Sequence, residues 1–192
     1  REAQLDAARS LAARGLRRLH WDMTDGHFAA AGGFTAERAR SLADQTGLAS
    51  EAHLMATRTT REVDAWTDFC NLIFVHAESE DWTAAADRIT KRGCEAGLAI
   101  SPSTPASAVP AHMAALCMSI VPGTAGSRFD DRVLYKIRAL RSAAPERHIG
   151  VDGGIILGKL DLLMAAGASR ATVGTDLFLG DGPTRWADAL AC

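Results

Sequence analysis

The strongest constraint on this chain is an alternation. Short β-branched or apolar runs at 17–23, 50–55, 71–77, 95–101, 115–121, 148–152 and 170–174 are separated by amphipathic stretches at 36–45, 59–68, 82–92, 106–113, 129–143, 156–166 and 183–191. Repeating a short strand-like run and a longer helix-like one builds a parallel sheet with helices packed across it. One more helical stretch, 3–14, carries Leu5, Ala8, Leu11 and Ala12 at helical spacing and comes first, with no strand ahead of it. Seven βα units behind a lone helix predict an α/β fold: a (β/α)8 TIM barrel lacking its first β-strand, with a doubly wound open sheet as the competing arrangement.

Local signals punctuate the same elements. Thr35, Asp81 and Pro183 stand where helices should start, and Gly47, Gly93 and Gly167 where they should stop. No linker or low-complexity segment interrupts the pattern, and 192 residues, 47% of them hydrophobic, suffice for one sizeable core. Residues 1–192 therefore read as one domain. Arg1 is neither an initiator methionine nor the small residue that usually follows a removed one, so the domain is expected to be N-terminally incomplete.

Net charge narrows the function classes. A balance of −2 provides no basic surface able to neutralise many phosphates, which argues against nucleic acid as a partner. No apolar run approaches the roughly 20 residues of a membrane span, so a soluble, cytoplasmic protein is expected. Cys70, Cys94, Cys117 and Cys192 are too scattered for a zinc knuckle or a redox pair and read as free thiols.

In a barrel of this kind, chemistry belongs at the C-terminal ends of the strands. There the chain puts His20 and Asp22 ("HWD"), His53 ("SEAHLM"), His76 and Glu78 ("FVHAE") and Asp152 ("VDGG"). His20 and Asp22 are two apart and share one face of a strand. Two imidazoles and two carboxylates suit one divalent ion of zinc, iron(II), manganese or cobalt rather than magnesium. Such an ion stabilises an enolate oxygen, and two aspartates on opposite faces of a planar enediolate could remove a proton and return one, inverting the carbon. Glycines follow the later strands in "IVPGTAGS", "DGG" and "VGT", where backbone N–H groups commonly hold phosphate. A small-molecule sugar phosphate is the expected partner.

These motifs resemble the ribulose-phosphate 3-epimerase family over essentially the whole chain. "HWDMTDGHF", "AHLM", "FVHAE", "GLAISPSTP" and "VDGGI" occur in that family's order and approximate spacing. The resemblance implies His20, Asp22, His53 and Asp152 as metal ligands, with Asp22 and Asp152 also the acid/base pair. It implies substrate contacts from His53, Met55, Met118, Gly123, Thr124, Ala125, Gly126, Gly153, Gly154, Gly174 and Thr175. It further implies a homo-oligomer and epimerisation at carbon 3 of a ketose phosphate, D-ribulose 5-phosphate to D-xylulose 5-phosphate.

Departures from the family keep other readings open. A Pro-Ser-x-Leu strand has no counterpart here, Thr24 replaces a methionine, and Val121-Pro122-Gly123-Thr124-Ala125-Gly126-Ser127 replaces Asn-Pro-Gly-Phe-Gly-Gly-Gln. Another ketose phosphate such as allulose 6-phosphate, or a catalytically impaired sugar-phosphate-binding homologue, remains in view. A lyase or decarboxylase with an Asp-x-Lys-x-x-Asp strand is disfavoured, because "SEAHLM" has no lysine. His76 and Glu78 read as supports behind the ligands. His27, His112 and His148 read as loop, helix or solvent residues, and Asp176 as a helix cap. Trp66, Trp82 and Trp186 are expected outside the barrel.

Overall fold

The computed structural model describes residues 2–190, with side chains from residue 5 onward. Strands β1 (Arg18–Thr24), β2 (Ala49–Met55), β3 (Leu72–His76), β4 (Glu95–Ile100), β5 (Ala114–Met118), β6 (Ile149–Asp152) and β7 (Arg170–Thr172) form one parallel sheet in sequence order. Around it run α1 (Glu2–Ala13), α2 (Ala36–Thr46), α3 (Val63–Thr67), α4 (Trp82–Lys91), α5 (Val133–Ala143), α6 (Leu160–Ala166), α7 (Thr175–Phe178) and α8 (Gly182–Leu190). The sheet curls until its edges face each other. Arg170 Nη1 reaches Glu51 Oε2 at 2.9 Å and Thr172 Oγ1 lies 3.4 Å from His20 Nδ1, while no backbone ladder joins β7 to β1. The barrel is nearly closed, as the seven βα units predict.

Register decides what each face carries. Residues paired across a parallel ladder share a face, so Trp21 with Ala52 and Met23 with Leu54 point outward, and His20 with Glu51 and Asp22 with His53 point inward. The outward set packs under the helices in one core that includes Trp21, Leu54, Ile73, Val75, Leu98, Ile100, Ile89, Ile137 and Leu140. Buried Trp66 and Trp186 and half-buried Trp82 pack in that outer layer. Inside the barrel, Leu72, Phe74, Ala99, Ala114, Leu116 and Met118 form a second cluster. Gly97 leaves room for Phe74, whose ring a β-carbon would overlap. The interior is thus apolar along β3 to β5 except for His76 at the end of β3, and polar along β6, β7, β1 and β2, and the site lies beside the open seam.

Several local expectations need correction. The stretch 106–113 is not a helix: a 3-10 turn, Ala106–Ala108, ends where Pro110 forces Val109 into an extended conformation (φ −88°, ψ 115°). The stretch 59–68 splits into a 3-10 turn, Thr59–Arg61, and α3. Asp81 makes no capping bond to α4; its carboxylate accepts from the Thr59 and Thr60 N–H groups instead. Asp176 lies inside α7, unforeseen in the strand and helix pattern, and accepts from Trp186 Nε1 at 2.7 Å, pinning α7 to α8 rather than capping a helix.

Other signals behave as read. Thr35 Oγ1 accepts from Arg38 N at 3.3 Å, and Gly47 closes α2 in the left-handed conformation (φ 66°). Cys70, Cys94 and Cys117 are free, with burial pushing each thiol up; Cys192 lies outside the described residues. Among the described residues no helix is long and apolar enough to cross a membrane.

Candidate active site

Asp22 and His53 face each other because their strands pair in that register, with Asp22 Oδ1 2.9 Å from His53 Nδ1. Asp152 ends β6 with Oδ2 3.8 Å from the same nitrogen, and His20 Nε2 is 3.5 Å from Asp22 Oδ1. One donor atom from each of His20, Asp22, His53 and Asp152 lies within 4.8 Å of the others. Donors about 2.1 Å from a shared ion lie up to about 4.2 Å apart, so small side-chain rotations close the set. His20 Nε2 is buried and makes no hydrogen bond. A lone imidazole nitrogen beside two carboxylates is what an ion-binding position offers.

His53 is wholly buried, and its Nε2 lies 2.7 Å from His76 Nε2, whose Nδ1 is 2.8 Å from Glu78 Oε2. With a proton on His76 Nδ1 donated to Glu78, His76 Nε2 accepts from His53 Nε2–H. That tautomer would free the His53 Nδ1 lone pair for an ion; without one, Nδ1 carries the proton and donates it to Asp22 Oδ1. Glu78 is itself held by Ser101 N at 3.0 Å and by the Thr104 hydroxyl. The support read for His76 and Glu78 is a hydrogen-bonded chain.

Charge is distributed unevenly. For Asp22, burial pushes the pKa up, but the neighbouring His20 and His53 imidazoles outweigh it and hold the carboxyl well below the usual range. Asp152 goes the other way: burial, then the neighbouring Asp22 charge, raise it to about 7. Burial lowers His20, yet the carboxylates of Asp22 and Glu51 beside its two nitrogens carry it well above the ordinary imidazole value. His53 is lowered to about 4 by burial, with the His76 charge adding to that effect against the opposing Asp22 bond.

Above these groups opens a cavity of about 800 Å³ lined by Asp22, Thr24, Met55, Met118, Asp152 and the glycine loops. Gly123, Ala125, Gly126, Gly153, Gly154, Gly174 and Thr175 all contribute. Gly153 (φ 107°) and Gly154 (φ 59°) are consecutive left-handed residues, and a β-carbon on Gly154 would lie 2.5 Å from Phe129 N, so the 127–129 backbone presses directly on that turn. Thr124 does not line the cavity, since its hydroxyl donates to Val121 O at 2.6 Å. His27, His112 and His148 are exposed and away from the cluster.

Four contributors escaped the sequence reading. Arg128 and Lys159 line the cavity, and their only signal was a cation close to a glycine loop in "AGSR" and "LGK". Asp25 accepts from His27 N, Phe28 N and Thr57 N at 2.7–2.8 Å, tying the loop after β1 to the loop after β2. Gly33 bridges back to Met23.

Comparison with known proteins identifies the lineage of this arrangement. The model of the ribulose-phosphate 3 epimerase family matches residues 2–178. The chain belongs to this family. It is 29% identical over 171 residues to the cytoplasmic isoform of ribulose-phosphate 3-epimerase from Oryza sativa subsp. japonica, covering 83% of this chain and 75% of that protein. It is 31% identical over 180 residues to ribulose-phosphate 3-epimerase of Treponema pallidum, covering 88% and 83%. A crystal structure of 3-hexulose-6-phosphate synthase superposes with a TM-score of 0.68 at 14% identity, over 97% of this chain and 93% of that one, which is a likeness of fold. The family members are isomerases that act on sugar phosphates, and the His/Asp cluster is a possible metal site.

Proposed function

We propose that this family member is a divalent-metal-dependent epimerase that interconverts D-ribulose 5-phosphate and D-xylulose 5-phosphate. The observation that carries the reading is the convergence of His20, Asp22, His53 and Asp152, of which the two aspartates line a cavity walled by glycine loops. An ion of zinc, iron(II), manganese or cobalt held by those four side chains would supply Lewis-acid stabilisation for negative charge developing on the oxygens beside carbon 3. The residues do the proton transfer. One aspartate carboxylate takes the proton from carbon 3 and the other carboxyl delivers one to the opposite face, so the pair exchanges protonation states and the carbon inverts. Opposite perturbations of Asp22 and Asp152 support the pairing, because in the metal-free protein one begins as base and the other as acid.

Met55 and Met118 supply polarisable walls, and the loop glycines bring backbone N–H groups near the phosphate end. Arg128 and Lys159 add positive charge on that side. A ketose phosphate one carbon longer, allulose 6-phosphate, is favoured by one feature: Thr124 turns out of the cavity and leaves its mouth open.

Solvent-deuterium exchange tests the reaction. Incubation with ribulose 5-phosphate in D2O is expected to place deuterium at carbon 3, and removal of metal by chelator to stop it. Unlabelled sugar from a metal-replete, folded protein would leave the binding-homologue reading in its place. Parallel runs with allulose 6-phosphate rank the two sugars.

Metal affinity should also depend on pH in a definite direction. His20 holds its proton above the ordinary imidazole range, and an ion on Nε2 must displace it. Affinity is therefore expected to rise by about tenfold per pH unit above neutrality, with release of the His20 proton, and more steeply below it, where Asp152 must also lose one. Calorimetry at about pH 6 and about pH 8, in buffers of different ionisation enthalpy, measures both. A level affinity without proton release above neutral pH would remove His20 from the ligand set.

A further inference from the structure

Glu51 is not one of the four candidate ligands, yet it is 4% exposed in the barrel interior, where branched apolar side chains ordinarily fill the layers. A carboxylate in such a position needs partners, and it has three. Its Oε1 lies 2.8 Å from His20 Nδ1, while Oε2 accepts from Arg170 Nη1 at 2.9 Å and lies 3.6 Å from Arg18 Nε. His20 and Glu51 are register partners on β1 and β2, so the ladder itself brings them together. Arg170 comes from β7, on the far side of the unpaired seam, and Arg18 from β1.

We infer that Glu51 is a positioning residue that fixes His20 for metal binding and is itself held by Arg18 and Arg170, so that ligand geometry depends on a charged clamp across the open seam. The inference rests on the metal reading above. Donation of the Nδ1 proton to Glu51 leaves Nε2, the buried nitrogen without a hydrogen bond, as the atom available to an ion. A carboxylate behind a ligating imidazole also makes it a stronger donor. Thr172 Oγ1, at 3.4 Å from the same Nδ1, is a more distant alternative and does not bring negative charge. Because Arg170 reaches from β7 to β2, the clamp also joins the two sides where no backbone bonds do.

Cobalt(II) titration of the full chain, by visible absorption and chelator competition, tests this with two variants. Glu51→Gln keeps the shape but not the charge. The triple variant Arg18→Met, Glu51→Met and Arg170→Met replaces the whole ion set with apolar side chains, a change that buried ion clusters tolerate without unfolding. The wild type is expected to bind one cobalt(II) per chain. Affinity should fall about 10-fold in Glu51→Gln and about 10- to 100-fold in the triple variant, with cooperative melting retained. A purely structural role would not move the proton resonance of His20 Nδ1 in the cobalt form, which should exchange slowly in the wild type and rapidly in the triple variant. Wild-type affinity and slow exchange in a folded triple variant would overturn the inference while leaving the metal site standing; should that variant fail to fold, unchanged affinity in Glu51→Gln does the same. A wild type that binds no cobalt(II) overturns both.

Discussion

Asp22→Asn and Asp152→Asn are each expected to abolish epimerisation, lowering turnover by at least about 10³-fold, which is within what a positioned acid or base contributes. Asparagine matches the shape of either carboxyl but cannot exchange a proton with carbon 3, so a two-acid scheme fails with either change. Stability should separate the two variants. Asp22 is hydrogen-bonded to His53 and lies 3.5 Å from His20 Nε2, and the amide gives up the charge that both histidines face, so that variant should melt lower and bind metal more weakly. Asp152 is buried against its own ionisation.

For a carboxyl whose folded-state pKa is raised, the stabilising protonated form is fully present below the unfolded-state value and is lost as pH rises through the folded one. With the folded value near 7, the metal-free wild type loses stability between the ordinary carboxylate range and neutrality. Asp152→Asn has no such loss. Above neutral pH its metal-free melting temperature should equal or exceed that of the wild type, even though its turnover is gone. A coupled assay of xylulose 5-phosphate formation, with thermal melts across that interval, measures both. Wild-type turnover in either variant contradicts the acid/base assignment.

Strand periodicity and the family resemblance made the candidate ligand quartet legible, and for different reasons. His20 and Asp22 follow from the two-residue repeat alone, because any strand through "LHWDM" turns both to one face. Asp152 lies 130 residues beyond Asp22, and its place at the C-terminal end of the sixth run, reinforced by the motif "VDGGI", tied it to the others. Errors arose where a local rule met a competing partner. Asp81 stands where a cap belongs, but the Thr59 and Thr60 N–H groups take its carboxylate. The apolar spacing of 106–113 read as helical although Pro110 removes a donor in its middle. Glu51 with Arg170 was illegible in principle, since 119 residues separate them and only closure of the barrel brings them within reach.

Gly33→Ala is expected to be among the most damaging single-methyl changes in the chain. Gly33 lies in the loop after β1, at φ 78°, a left-handed conformation that costs an alanine about 1 kcal/mol before any contact is counted. The contact is worse. An added β-carbon would overlap the carbonyl oxygen of Asp22 and crowd Met23 Cα, in the segment where Phe34 N donates to that oxygen at 2.8 Å. The obstacle is backbone of a paired strand, which no rotamer change can relieve, so either the loop peels away or β1 shifts at Asp22.

Both outcomes reach the candidate metal centre. Displacing Asp22 disturbs its bond to His53 and its approach to His20, and peeling the loop opens the cavity that Gly33 helps to line. A loss of about 2–4 kcal/mol in stability and at least about 10-fold in metal affinity is expected. Gly32→Ala is the matched control: its β-carbon would meet nothing within 4 Å and its φ lies outside the left-handed region, so it should stay within about 1 kcal/mol of the wild type. Denaturant melts and cobalt(II) titrations of the two variants side by side decide the point. Equal behaviour would mean that β1 and its loop yield freely beside Asp22, and the rigidity assigned to that side of the metal centre would have to be abandoned.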